Sequence, residues 1–120
     1  MAVSTQIKAK LETAKTADHT GVTGAYLVLG TPLSAPAQSL IITSTLSASS
    51  VAVTAWLSLD GTNNQIMVVG GSSLVIDVSG NKQGTGSLSF AKGEQFYVKE
   101  GQDGAPDAGD ISITTIYARA

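Results

Sequence analysis

The stretch DGTNN, residues 60–64, places oxygen-bearing side chains at alternate positions, which is how a calcium-binding loop begins. The EF-hand pattern also requires Gly at its sixth position, where this chain has Gln65. It further requires a bidentate Glu at its twelfth position, and this chain has no Glu there. Asp-Gly between two apolar runs is instead typical of a hairpin, because Gly tolerates positive φ and Asp bonds its own backbone. We therefore predict a turn here, and no metal.

A second acidic stretch, GQDGAPDAGD at residues 101–110, carries Asp103, Asp107 and Asp110 close to Glu100. Such oxygens suit a hard cation such as calcium. The glycines and the proline of the same stretch already account for a long surface turn, whose acids are solvated. We predict a surface loop without a metal.

The side chains that catalysis needs are sparse. The one histidine, His19, lies in a connecting segment, the chain has no cysteine, and neither a G-x-S-x-G elbow nor a phosphate-binding GxxxxGK[ST] loop occurs. Asp60 and Asp77 follow neighbouring apolar runs, and paired carboxylates can cleave glycosidic bonds, but nothing beside them indicates a sugar-lined cleft. We expect no enzymatic activity, no catalytic residue and no cofactor.

Charge is low, at 13% of residues with a net charge of -2. The basic residues are scattered singly, whereas a nucleic-acid partner requires them on one face, so we expect no nucleic-acid binding. No run approaches the roughly 20 apolar residues of a spanning helix, so we expect no membrane partner. A surface of Ser, Thr, Gly, Asn and Gln gives little electrostatic solubility, which favours a protein covered by neighbours in an assembly.

The clearest structural signal is strict alternation from Val51 to Leu59. Val51, Val53, Ala55, Leu57 and Leu59 fall on one side of this strand, and Ala52, Thr54, Trp56 and Ser58 on the other. The apolar side therefore faces a core. Trp56, on the polar side, is covered either by a loop of its own domain or by another chain.

Further β-branched runs are spaced as in all-β sandwiches and barrels. We predict one antiparallel β-sandwich, either jelly-roll or immunoglobulin-like, at residues 25–120. The predicted inward residues are Leu40, Ile42, Val53, Leu57, Leu59, Ile66, Val68, Leu74, Ile76, Phe96, Val98, Ile111 and Ile113.

Residues 1–24 differ from this pattern. Ile7, Leu11 and Ala14 lie on one stripe of a helical period, which predicts a short helix over Gln6–Lys15. Such a helix is marginal alone. It either packs on the sandwich or forms an arm that orders on a partner.

A series of turn and strand motifs runs from Ser39 to Ala118. Asp-Gly at 60–61 leads to an apolar strand, Gly-Gly at 70–71, a strand ending at Asp77, a Gly-rich loop, Tyr-Val-Lys at 97–99 after Gly93, and Ile-Tyr-Ala at 116–118. This order resembles small virion proteins of tailed bacteriophages. The resemblance implies a β-sandwich that assembles as an oligomer and catalyses nothing.

For the function, the resemblance favours a capsid decoration or cement protein that binds the major capsid protein or other virion proteins, as a homo-oligomer such as a trimer. The opening MAVSTQIKAK lacks the apolar run of a signal peptide, which fits assembly in the host cytoplasm. A place on the capsid surface is what the resemblance implies. The alternatives are a tail, neck or fibre component, including a receptor-binding knob, and a carbohydrate- or calcium-binding module. The predicted interface residues are Ile7, Leu11, Trp56, Tyr97 and Tyr117.

Overall fold

The β-branched runs fold as strands in the computed structural model, which describes residues 8–77, 82, 83, 86, 87 and 90–119. A 3-10 helix spans His19–Gly21, and the described residues contain no α-helix. The strands are β1 (Lys8–Leu11), β2 (Lys15–Asp18), β3 (Leu27–Leu29), β4 (Ser39–Ser44), β5 (Ser47–Ala48), β6 (Val51–Ala52), β7 (Thr54–Ser58), β8 (Ile66–Val69), β9 (Ser72–Asp77), β10 (Lys82–Gln83), β11 (Gly86–Ser87), β12 (Phe96–Glu100) and β13 (Asp110–Arg119).

Two antiparallel sheets form a β-sandwich, as the sequence predicts. The first sheet has the order β1-β13-β4-β9, with β2 also paired to β13. The second sheet has the order β3-β12-β7-β8. The short strands form two separate hairpins, β5 with β6 and β10 with β11. The chain passes from one sheet to the other several times, as from β3 to β4 and from β12 to β13, so both sheets contribute side chains to one core.

The N-terminal helix predicted for Gln6–Lys15 is wrong where the structure describes it. β1 and β2 lie end to end along one edge of β13, with Leu11 opposite Ile116 and Lys15 opposite Ile113. Three residues, 12–14, thus face two on β13, which is a β-bulge. A short isolated helix is marginal in water, whereas pairing with β13 on either side of the bulge satisfies backbone groups of residues 8–11 and 15–18. Residues 6 and 7 lie outside the described residues.

The core lies between the sheets, and nine of the thirteen residues predicted to face inward are buried: Leu40, Ile42, Val53, Leu57, Val68, Phe96, Val98, Ile111 and Ile113. Leu59, Ile66 and Ile76 pack partly against them. Leu74 faces the same side as Ile42, yet it is 36% exposed because β9 is an edge strand. Val51, predicted to lie inward, is 66% exposed because it belongs to the β5–β6 hairpin.

Candidate functional site

The DGTNN stretch is the connection between two paired strands. β7 and β8 are antiparallel neighbours, which confirms the predicted hairpin, and residues 59–65 join them. The Asp60 carboxylate accepts hydrogen bonds of 2.8 Å from Ser58 Oγ, from the backbone N–H groups of Thr62 and Asn63, and from Asn63 Nδ2. These bonds favour the charged form and hold the pKa of Asp60 far below its usual range. The carboxylate therefore organises its own loop.

The carboxylates of the acidic loop at 101–110 likewise accept hydrogen bonds from other parts of the protein. Asp103 Oδ2 accepts bonds from the N–H of Thr54 at 3.3 Å and from its hydroxyl at 3.2 Å. Asp107 Oδ2 accepts a 3.0 Å bond from the N–H of Ser49. Across residues 8–77 and 90–119, no group of three His, Cys, Asp or Glu side chains is arranged to hold a metal ion.

The other residues considered for catalysis lie apart in the fold. Asp77 is on β9 of the first sheet, opposite Ser39, whereas Asp60 is in a loop of the second sheet. His19 begins the 3-10 helix and donates its backbone N–H to the Gly109 carbonyl at 3.0 Å. The two carboxylates thus belong to different sheets.

The outer surface of the second sheet is largely apolar. Residues directly opposite each other on neighbouring strands share a face, and here Trp56 lies between Lys99 and Met67, while Tyr97 lies between Val28 and Ser58. Val28 is 59% exposed, Met67 45% and Val69 48%. We call this surface the aromatic face, defined by Val28, Trp56, Met67, Val69 and Tyr97.

Of the predicted interface residues, the structure brings two together. Trp56 and Tyr97 lie on adjacent strands of the aromatic face, and both are half-buried. Leu11 is 63% exposed on β1, opposite Ile116, whereas Tyr117 is opposite Lys10. Because neighbouring positions of a ladder point to opposite faces, Leu11 and Tyr117 lie on opposite sides of the first sheet. Ile7 lies outside the described residues.

The sequence analysis did not select Val28, Met67 and Val69 as interface residues, although it placed Ile66 and Val68 inward and therefore Met67 and Val69 outward. In IMVV, residues 66–69, every position is apolar, so no polar side chain marks an exposed side of the strand. Strand pairing is the signal that could have found them. Because Trp56 faces outward, Met67, the residue opposite it on β8, must face outward too.

An open pocket of about 250 Å³ adjoins Trp56. Beside it, the Lys99 ammonium lies 4.9 Å from the centre of the Tyr26 ring, and the Tyr26 hydroxyl donates to Asn64 Oδ1. Burial, and secondarily the negative charge of Asp60, raises the pKa of Tyr26. The walls of the pocket include Gly24, Trp56, Asn64, Lys99, Glu100 and Gln102.

In the described part of the chain, no helix is long and apolar enough to cross a membrane. No protein-family model matches the chain, and no curated protein matches it. A solved structure of Bacillus endospore appendages, described as a novel family of disulfide-linked pili, aligns with 100% of this chain and 96% of its own, at 11% identity and a TM-score of 0.48.

Proposed function

We propose that the chain is a structural protein of a bacteriophage particle, a capsid decoration or cement protein that binds the assembled shell through its aromatic face. The observation that carries this proposal is the exposure of Val28, Met67 and Val69 around Trp56 and Tyr97 on one sheet. A monomeric soluble protein seldom exposes a large contiguous apolar patch unless that patch binds a partner. The expected partner is the major capsid protein or a neighbouring virion protein.

The surroundings of this face favour adhesion over chemistry. Asp60, Asp103 and Asp107 are engaged in hydrogen bonds that organise loops of the protein itself. The chain as a whole carries 13% charged residues, so long-range repulsion between neighbouring copies is weak. Many copies can therefore pack side by side on a shell.

Stabilisation of a shell by such a protein is a mass-action effect. A protein that binds the intact shell but not its dissociated subunits shifts the equilibrium toward the shell, and each bound copy adds to the shift. Self-association of the copies as a symmetric oligomer such as a trimer adds contacts between them. Leu11, 63% exposed on β1 at the end of the first sheet, is a candidate for such a contact.

We further propose that the sandwich is a jelly roll rather than an immunoglobulin-like fold. Each sheet is four strands wide, and the orders β2-β13-β4-β9 and β3-β12-β7-β8 place the first and last long strands side by side in each sheet. Two interleaved Greek keys produce this arrangement, and jelly rolls recur in viral capsid domains.

Co-sedimentation with shells of the phage that encodes the chain tests the proposed function. The double variant Val28→Ser with Met67→Ser removes apolar side chains from the aromatic face, and Val75→Ser is the matched control, because Val75 is 62% exposed on the first sheet. We expect the double variant to bind about tenfold or more weakly, and the control to bind normally. Equal binding by all three proteins, or binding to tails and not to shells, would contradict the proposal.

A further inference from the structure

We propose that the pocket beside Trp56 binds a single neutral sugar ring, as a terminal or branch residue of a glycan. The pocket holds about 250 Å³, slightly below the range of drug-sized ligand sites, which suits one ring. This inference does not depend on the proposed place in a phage particle. The pocket is a polar recess that shares Trp56 with the aromatic face, whereas the proposed shell contact is argued from the exposed side chains of Val28, Met67 and Val69.

One wall of the pocket is aromatic. Trp56 is half-buried, and its position between Lys99 and Met67 on the neighbouring strands fixes where its indole can lie. The face of an aromatic ring is electron-rich, and the axial C–H groups of a pyranose carry partial positive charge, so the two surfaces attract. An apolar wall of this kind favours a sugar over a fully polar ligand.

The remaining walls carry donors and acceptors in balance. Lys99 supplies donors, Glu100 supplies acceptors, and the amides of Asn64 and Gln102 supply both. The charges of Lys99 and Glu100 cancel, so the pocket favours a neutral ligand. Neighbouring hydroxyls of a sugar each donate and accept, which matches this mixture.

Several of these polar groups are available to a ligand. Within residues 8–77 and 90–119, the side chains of Trp56, Glu100 and Gln102 form no hydrogen bond with the protein. Two other pocket residues, Lys99 and Asn64, are held in place by Tyr26. The Lys99 ammonium lies 4.9 Å from the centre of the Tyr26 ring, and the Tyr26 hydroxyl donates to Asn64. The pocket thus combines walls that are held by contacts within the protein with solvent-accessible donors and acceptors that a ligand can engage. The held walls reduce the ordering cost of binding.

Gly24 keeps the pocket open. A Cβ built on Gly24 would meet Glu100 Oε1 at 3.5 Å, an ordinary contact, and its φ is outside the left-handed region. A side chain with a Cβ is therefore compatible with the backbone at this position. The variant Gly24→Val is expected to fold normally while its side chain occupies space that a ligand needs.

Fluorescence titration provides a direct test, because Trp56 is the one tryptophan of the chain and lines the pocket. The probes are methyl glycosides of the gluco, galacto and manno configurations and the N-acetylated forms of the first two. We expect at least one glycoside to give a saturable change with an affinity near the millimolar range, which is usual for few contacts. Glycine serves as a zwitterionic control probe.

Three variants separate this site from others. Gly24→Val is expected to abolish the response, and Gln102→Ala to weaken it about fivefold, the effect of one lost hydrogen bond. Thr62→Ala, an exposed position outside the pocket, should leave the affinity unchanged. Amide NMR spectra of each variant confirm that the fold is retained. The proposal is overturned if no glycoside gives a saturable response, if Gly24→Val binds as well as the parent protein, or if only glycine binds.

Discussion

The carboxylate of Asp103 holds Thr54 at two points, accepting from its backbone N–H at 3.3 Å and from its hydroxyl at 3.2 Å. Thr54 is 8% exposed and begins β7, the strand that carries Trp56. In addition, the N–H of Gly101 donates to the Thr54 carbonyl at 3.0 Å. The acidic loop is therefore a clamp on the start of the strand that positions the aromatic face.

Replacing the clamp residue tests this role. Asp103→Ala leaves the N–H of Thr54 without its acceptor, which should lower the free energy of unfolding by about 1–2 kcal/mol. Urea unfolding followed by circular dichroism measures the loss. Asp103→Asn retains an acceptor oxygen and should lose less. Equal stability of the Ala variant and the parent protein would show that the loop is not a clamp.

The low pKa of Asp60 predicts a specific acid sensitivity. The folded protein favours the charged carboxylate, chiefly through the N–H groups of Asn63 and Thr62, so its folded pKa lies below the unfolded value of about 3.9. The resulting stabilisation is complete above that unfolded pKa and declines as the pH falls toward the folded pKa.

Asp60→Asn removes the titrating group while retaining one carbonyl oxygen. We expect the parent protein to be more stable than this variant at neutral pH, and the difference to shrink as the pH is lowered below about 4. Urea melts at a series of pH values provide the comparison. A difference that is independent of pH would mean that the charge of Asp60 does not contribute.

The Gly-Gly pair at the crossing from β8 to β9 has two different requirements. A Cβ at Gly70 would overlap the carbonyl oxygen of Leu46, whereas nothing lies within 4 Å of a Cβ at Gly71, whose φ is +80°. Gly70→Ala should therefore cost about 3 kcal/mol or more through backbone displacement, and Gly71→Ala only about 1–2 kcal/mol of backbone strain. Thermal and urea unfolding of the two variants should reproduce this order, and the reverse order would contradict the packing described.

The aromatic face should contribute little to the stability of the isolated chain. Val28→Ser and Met67→Ser alter side chains that are 59% and 45% exposed, so each should change the free energy of unfolding by no more than about 0.5 kcal/mol. Leu57→Ala, at a residue 1% exposed in the core, is the comparison and should cost about 2–5 kcal/mol. A large loss in the Val28 variant would indicate that this face packs within the protein.

The fold class could be predicted from the sequence because period-two alternation reports directly on a strand with one buried side. The same alternation did not indicate that the predicted strand is interrupted at Val53, between β6 and β7. Because of this interruption, Val51 is exposed and not part of the core. Tertiary pairing decides such breaks. Loop residues of the core, such as Val22, Leu33 and Leu46, have no period at all and could not be selected.

The N-terminal segment shows how pairing with a distant strand overrides local pattern. Lys15 reads as a polar position of a helix, yet it is 4% exposed, with its ammonium 3.3 Å from Glu12 and its stem against Gly30. A Cβ at Gly30 would lie 2.6 Å from the Lys15 Cβ, so this close approach requires glycine. The partner strand, β13, is about a hundred residues away in sequence, beyond any local signal.

For the candidate site, the sequence analysis selected Trp56 and Tyr97, which the structure places on one face, but not the pocket beside Trp56. Asn64 and Gln102 come from two loops that meet only in the folded chain. Gly24 leaves space in the pocket because it has no side chain, and no sequence pattern indicates this role. The site forms because β7 pairs with β12, and the sequence alone does not indicate that pairing.

The most direct test of the proposed decoration role is quantitative mass spectrometry of bacteriophage particles purified from the source of the sequence, combined with cryo-electron microscopy of their shells. We expect the chain in numbers comparable with the capsid subunits, with the aromatic face of each copy turned toward the shell. Its absence from the particles, or its presence in only a few copies at the tail, would contradict a decoration role.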